Sequence, residues 1–101
     1  MHKVLEENEY IILGCNNTKG YIVYNRKKDW KNGHTHIREL KQAKDLIFCA
    51  KRHILPRSAN KYFLVSLSRI TDNPDYYDVL QDAINRTSNK KTKYRNNPKM
   101  R

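Results

Sequence analysis

The hydrophobic positions of the chain are concentrated in a few short stretches, and the first two have the composition of β-strands. Residues 9–13 and 21–24 are runs of β-branched and aromatic side chains, and the segment between them is rich in Gly and Asn. This pattern predicts a β-hairpin. Because an isolated hairpin is marginally stable, one of its faces must pack against the rest of the chain. Residues 26–33 follow as a polar connection in which Trp30 is the only anchor.

The clearest helical pattern lies between Ile37 and Ile54. Apolar residues recur there at alternating steps of three and four, the spacing of one helix face. Thr35 or His36 is expected to cap the N-terminus, and Pro56 prevents continuation. The apolar positions are Ile37, Leu40, Ala43, Ile47, Ala50 and Ile54.

Two further helices are predicted. The first covers residues 58–70, capped by Ser58, with Phe63, Leu67 and Ile70 directed inward, although Phe63, Val65 and Leu67 also fit the alternation of a strand. The second begins at Pro74, because proline is well suited to the first helical position, and it runs to about Asn85. Its expected core positions are Tyr76 or Tyr77, Val79, Leu80, Ala83 and Ile84.

The apolar content ends at Ile84, and residues 87–101 cannot bury enough surface to order themselves. The sequence therefore predicts one compact α+β domain over residues 1–86, with an N-terminal β-hairpin followed by three α-helices, and a disordered basic tail over residues 87–101.

The charge of the chain is strongly positive and unevenly distributed. There are 21 Lys and Arg against 10 Asp and Glu, a net charge of +11. Residues 86–101 hold seven basic side chains and no acidic one, so the first 85 residues carry only +4. Such a tail favours a polyanionic partner, above all nucleic acid, through counterion release. A tail that only improves solubility is the alternative.

A second basic feature lies on the flank of the Ile37–Ile54 helix, where five cations gather within roughly 140° of the helix circumference. An ordinary solvated helix shows the same pattern, so the flank gains interest only together with the tail. The candidate nucleic-acid-binding residues are Arg38, Lys41, Lys44, Lys51, Arg52, Arg57, Lys61, Arg86, Lys90, Lys91, Lys93, Tyr94, Arg95, Lys99 and Arg101.

Two more specific sites can be considered. A helix-turn-helix could use the helices at 37–54 and 58–70, with Arg57 and Lys61 at the leading end of the second helix, but the first helix is longer than usual for that motif. Tyr10, Tyr21 and Tyr24 of the hairpin could stack on bases, or they could pack against the helices.

His34 and His36 are the only hint of a reaction centre. They could share a metal or supply a general base, or they could simply form the turn and cap before a helix. The conceivable further ligands are Asp29, Glu39, Asp45, Cys49 and His53. Since no spaced ligand constellation or glycine-rich phosphate loop is present, the sequence assigns no catalytic residue, no metal site and no cofactor.

The cysteines, the apolar runs and the composition of the chain indicate its cellular context. Cys15 and Cys49 have no CxxC spacing and are interpreted as buried or inert thiols. The N-terminus has no apolar signal region and the apolar runs are too short for a bilayer, so a cytoplasmic location without membrane contact is expected. Abundant Lys, Asn, Ile and Tyr suggest an AT-rich genome such as a phage, plasmid or other mobile element.

The sequence thus favours a non-catalytic accessory or regulatory nucleic-acid-binding protein. The first alternative is a small effector or inhibitor that binds a host or element-encoded protein. The second is a small His-dependent nuclease centred on His34 and His36.

Overall fold

The part of the chain that the structure describes contains four strands and four helices. The computed structural model describes residues 1–15, 19–56 and 59–100, and it describes side chains as far as residue 87. The α+β class predicted from the sequence is confirmed. In chain order the elements are β1 (His2–Glu7), β2 (Tyr10–Gly14), β3 (Tyr21–Asn25), α1 (Trp30–Gly33), β4 (His34–Ile37), α2 (Leu40–Arg52), α3 (Lys61–Ile70) and α4 (Pro74–Met100).

The four strands form one antiparallel sheet in the order β1-β2-β3-β4. The predicted hairpin is confirmed as β2 and β3, with Ile12 opposite Val23. The N–H of Cys15 donates to the carbonyl of Gly20 at 3.2 Å and so extends the pairing into the loop. Strands β1 and β4 were not predicted from the sequence, and they extend the hairpin on both sides.

β4 occupies the place where a helix cap was predicted, so the prediction of Thr35 or His36 as N-cap is wrong. Thr35 is buried, and its hydroxyl donates to the Ser66 hydroxyl at 2.9 Å, while Ile37 packs against the core. The side chains alternate between the two faces of the sheet, which is strand periodicity. Helix α2 begins only at Leu40.

Helix α2 buries Ala43, Ile47 and Ala50 as predicted, but it ends earlier than expected. His53 adopts a left-handed conformation with φ of 54°, and its N–H bonds back to the carbonyl of Cys49. A left-handed residue after the last turn is a common way to end a helix. Ile54, predicted to be part of the apolar face, is therefore outside the helix and exposed.

Residues 61–70 form helix α3, although the sequence pattern of residues 58–70 also allowed a strand. Its cap is Asn60, whose side chain accepts a hydrogen bond of 2.9 Å from the N–H of Phe63. Ser58, the predicted cap, lies outside the described residues. Leu67 and Ile70 are buried as expected, and Phe63 is partly buried.

Helix α4 begins at Pro74, as predicted. The Asn73 side chain accepts a hydrogen bond of 2.8 Å from the N–H of Tyr76, which satisfies one of the free donors of the first turn. Tyr76 rather than Tyr77 is buried, and Val79 is exposed, contrary to its assignment to the core. The helix extends to Met100, and the side chains of the predicted tail beyond residue 87 lie outside the described residues.

The core lies between one face of the sheet and helices α2, α3 and α4. Ile12 and Val23 from the sheet belong to the same buried cluster as residues of all three helices. The largest fully buried helix side chains are Leu46, Ile47, Leu67, Ile70 and Leu80. Over the described residues, no helix is both long enough and apolar enough to cross a membrane.

Candidate nucleic-acid interface

The two faces of the sheet have different roles. Directly paired residues share a face, and neighbours along a strand point to opposite faces. Since Ile12 and Val23 point toward the helices, Leu13 and Ile22 point the other way. We call this second side of the sheet the open face. Its positions on β2, β3 and β4 are Ile11, Leu13, Ile22, Tyr24, His34 and His36. Of these, His36 is exposed, Ile22 is buried beneath its neighbours, and the other four are partly buried.

Four aromatic side chains form a continuous row at the β3–β4 side of the open face. Tyr24 meets Trp30 edge to face, with 5.0 Å between ring centroids, and Trp30 stacks on His34 at 4.3 Å with only 8° between the ring planes. His34 in turn meets His36 edge to face at 5.3 Å. We call Tyr24, Trp30, His34 and His36 the aromatic ladder. Trp30 is 41% exposed and His36 is also exposed, so the ladder is accessible from solvent.

Trp30 reaches the ladder because the short helix α1 folds back beside the sheet. Asp29 caps α1 by accepting a hydrogen bond of 3.2 Å from the N–H of Asn32. The Tyr24 hydroxyl donates to the carbonyl of Lys28 at 2.7 Å, which holds the connection near β3. A Cβ atom at Gly33 would lie 2.6 Å from the Cβ of Lys28, so the tight return into β4 requires glycine there.

The ladder lies in a positively charged part of the chain. Residues 24–38 contain five basic side chains and one acidic one, a net +4, which equals the net charge of the first 85 residues. Two of the five have structural partners, since Arg26 lies 2.8 Å from Glu6 and the Lys28 ammonium donates to the carbonyl of Arg69 at 2.8 Å. Burial lowers the pKa of Lys28. The other three, Lys27, Lys31 and Arg38, form no ion pair within the described residues.

The predicted basic flank of α2 is present but largely engaged. Lys51 lies 2.7 Å from the Glu7 carboxylate on β1, and Lys41 lies 3.7 Å from Asp45. The Arg52 guanidinium lies over the ring of Phe48, 4.0 Å from its centroid. The flank therefore offers a polyanion fewer available cations than the sequence pattern indicated. Arg38 and Lys44 are exposed and form no ion pair in the described part of the chain.

The other residues predicted to bind nucleic acid lie in separate elements of the chain. Lys61 is exposed at the start of α3, remote in sequence from the ladder, and Arg86 pairs with Asp82 on α4 at 3.6 Å. Arg57 lies outside the described residues, as do the side chains of Lys90, Lys91, Lys93, Tyr94, Arg95, Lys99 and Arg101.

The aromatic part of the interface was only partly foreseen. Of the three tyrosines considered, Tyr10 is buried in the core and Tyr21 packs against it, whereas Tyr24 is in the ladder. The sequence predicts Trp30 as the only anchor of a polar connection, and it allows the two histidines to form either a reaction centre or a turn and cap before a helix. The signal that could have found them is the alternation of residues 34–37, which places both histidines on one face of a strand.

The two histidines lie close together without forming a metal centre. Within the described residues, no group of three or more His, Cys, Asp and Glu side chains is arranged to hold a metal ion. The ring of His34 is instead occupied by its stacking on Trp30 and by a short contact between its Nδ1 atom and the Trp30 carbonyl. The histidines belong to the row of rings, in which Trp30 and His34 are stacked and the other two pairs meet edge to face.

A helix-turn-helix does not fit the connection between α2 and α3. That connection is long, because it spans residues 53–60 where the motif uses a turn of about three or four residues. Helix α3 buries Leu64, Ser66, Leu67, Ser68 and Ile70. Its exposed side chains are Lys61, Tyr62 and Arg69.

Comparison of the chain with known proteins found no match to a family model, to a curated protein or to a solved structure.

Proposed function

We propose that the protein is an accessory nucleic-acid-binding protein that holds unpaired bases on the open face of its sheet. The observation that carries the proposal is the aromatic ladder, an accessible row of rings inside the segment that holds the positive excess of residues 1–85. Stacking of bases on aromatic rings combined with backbone contacts from cations is how proteins commonly bind single strands.

The aromatic ladder and the basic residues contribute to binding in different ways. Rings stack on the flat surface of any base, which is possible only when the base is not already stacked in a duplex. Lys27, Lys31 and Arg38 provide phosphate contacts next to the rings, and the cations of residues 86–101 add attraction that is independent of sequence. The protein thereby prefers single strands and binds them with a strong dependence on salt.

We further propose that this activity takes place in the cytoplasm. Cys15 and Cys49 are free thiols, and burial raises the pKa of Cys49, which keeps that thiol protonated. Both features suit a reducing cytoplasm, where nucleic acid is accessible. The Lys- and Asn-rich composition remains our reason to expect a phage, plasmid or other mobile element as the source.

The decisive experiment uses Trp30, the single tryptophan of the chain, as a built-in reporter. Titrating the full-length protein with single-stranded oligothymidylate or oligouridylate should quench its fluorescence, because a base stacks beside the indole. His36→Ala should weaken binding about tenfold, since one ring platform is removed. Tyr62→Ala is the matched control, because Tyr62 is 79% exposed but lies on α3.

Two outcomes would reject the proposal. One is binding that leaves the Trp30 emission unchanged, which would place the nucleic acid elsewhere. The other is an equal reduction of affinity in His36→Ala and Tyr62→Ala, which would remove the ladder from recognition.

A further inference from the structure

A groove along the outer edge of β4 separates α2 from α3. It has a volume of about 560 Å³, and the residues that line it come from β4, α2, the α2–α3 connection and α3. Its apolar walls include Phe48 and Phe63, and Tyr62 lies at its rim. Phe48 is 51% exposed and Tyr62 79% exposed, so both rings retain apolar surface that a bound partner can bury.

The direction of the β4 backbone follows from the hydrogen bonds of the hairpin. The N–H of Arg26 donates to the carbonyl of Glu9 at 2.8 Å, and the N–H of Cys15 donates to that of Gly20. Bonded and non-bonded pairs alternate in an antiparallel ladder, so Ile22 and Tyr24 bond toward β2. The residues of β3 that bond toward β4 are therefore Tyr21 and Val23.

The same alternation fixes the groups on the outer edge of β4. Thr35 pairs with Val23 and bonds inward, so the backbone groups of His34 and His36 point away from the sheet. The side chain of Arg69 confirms this direction, because its Nε atom donates to the carbonyl of His34 at 3.2 Å. No hydrogen bond from another described element reaches the N–H or carbonyl of His36, and His36 lines the groove.

We infer that this groove binds an extended, acidic peptide segment of a partner protein, which adds to β4 as a fifth strand. The peptide pairs with the N–H and carbonyl of His36 and lays an apolar side chain against Phe48 and Phe63. Strand addition of this kind obtains affinity from backbone hydrogen bonds and specificity from the pockets beside them.

The charge around the groove selects an acidic peptide. Arg38 lines the groove, Arg52 lies over Phe48, and Lys61 is next to Tyr62. Among the described residues of the lining, the one carboxylate is that of Asp45, which lies 3.7 Å from the Lys41 ammonium. The rim of the groove therefore carries a net positive charge. A peptide with acidic residues on both sides of an apolar residue is complementary to this charge.

The peptide site lies beside the proposed nucleic-acid interface and shares little with it. His36 is the one ring of the ladder that also lines the groove, and it contributes its ring to the open face and its backbone to the outer edge. Arg38 follows β4 at the boundary between the two sites. A partner protein and a nucleic acid can thus bind at the same time, and the protein would connect the two.

The test selects binders from a displayed library of random peptides against the full-length protein, followed by anisotropy measurements on labelled synthetic copies. We expect enrichment of acidic peptides with an aromatic or aliphatic residue at the centre. Phe48→Ser should weaken their binding about tenfold or more, as removal of a central anchor does. Its effect on oligothymidylate binding should be small, because Phe48 is not part of the ladder.

Charge reversal of exposed cations provides a matched pair of variants. Arg52→Glu should weaken the acidic peptides about tenfold, because it places a carboxylate beside the groove. Lys3→Glu changes the charge of the protein by the same amount, but Lys3 lies on β1, at the opposite edge of the sheet from β4, and should have little effect. Equal reductions of affinity in both variants would indicate attraction to the overall charge and would overturn the proposal.

The backbone pairing has its own test, which leaves the protein unaltered. Amide hydrogen exchange at His36 should slow when peptide binds, and methylation of the peptide nitrogen that faces the His36 carbonyl should abolish binding. Failure to enrich acidic peptides, unchanged exchange at His36, or a dimer of the protein that dissociates in Phe48→Ser would each overturn the inference. The last result would assign the groove to a second copy of the chain.

Discussion

The side-chain amide of Asn25, the last residue of β3, donates a hydrogen bond of 2.8 Å to the carbonyl of Ile70, the last residue of α3. Both side chains are fully buried. The oxygen of the same amide accepts from the N–H of Lys27 at 2.9 Å. One buried side chain therefore satisfies a helix carbonyl that has no partner within the helix and fixes the turn that leads to the aromatic ladder.

This relationship predicts a stability effect. Asn25→Ala should lower the free energy of unfolding by about 1–3 kcal/mol, because the Ile70 carbonyl stays buried without a partner. Urea denaturation followed by circular dichroism measures the change. Asn85→Ala, on an exposed position of α4, is the control and should stay within about 0.5 kcal/mol of the parent. Similar values for the two variants would mean that water replaces the missing amide.

Tyr10 predicts how stability falls at alkaline pH. Burial raises the pKa of Tyr10 above the ordinary tyrosine value of about 10. Above that pH the tyrosine ionises in the unfolded chain but not in the folded one, so its contribution to stability is complete below about pH 10 and is lost as pH rises. Tyr10→Phe should reduce the slope of this decline by up to about 1.4 kcal/mol per pH unit.

Urea denaturation at several alkaline pH values measures that slope. Tyr62→Phe is the matched control, because Tyr62 lies at the protein surface. Tyr76 is buried as well, and burial likewise raises its pKa, so part of the slope should remain in Tyr10→Phe. Identical slopes in Tyr10→Phe and Tyr62→Phe would contradict the assignment to Tyr10.

The aromatic ladder predicts a preference between forms of the same nucleic acid. At equal salt, a single-stranded oligonucleotide should bind about tenfold or more tightly than the duplex of the same sequence, because bases in a duplex cannot stack on Trp30. Anisotropy of labelled oligonucleotides gives both affinities. His34→Ala, which removes the ring stacked on Trp30, should reduce the difference. A duplex that binds as tightly as the single strand would show that phosphate attraction alone accounts for binding.

The basic residues of the C-terminal segment predict the salt dependence. Replacing Lys90, Lys91 and Lys93 by Gln in the full-length chain should flatten the plot of log affinity against log salt. The slope should fall by about 0.7 for each phosphate of a single strand that is no longer neutralised. Quenching of Trp30 at low salt should remain, because the ladder is unchanged. An unaltered slope would exclude these three lysines from nucleic-acid binding.

The sequence by itself determined the features that depend on local order. Two runs of β-branched and aromatic residues around a loop rich in Gly and Asn predicted the β2–β3 hairpin. Helical periodicity predicted the buried positions Ala43, Ile47 and Ala50, and Pro74 marked the start of α4. Each of these depends on side chains a few residues apart, whose relation is set by the geometry of a single strand or helix turn.

The tertiary structure decided the features that depend on residues far apart in the chain. Strand β4 contains two histidines and exists because Thr35 and Ile37 find buried partners, among them Ser66. Which cations remain available was also decided at long range, since Lys51 pairs with Glu7 across 44 residues. Strand register and burial arise only when the chain has folded. Together they place the rings of the aromatic ladder in one row, and they place the outer edge of β4 beside an apolar groove.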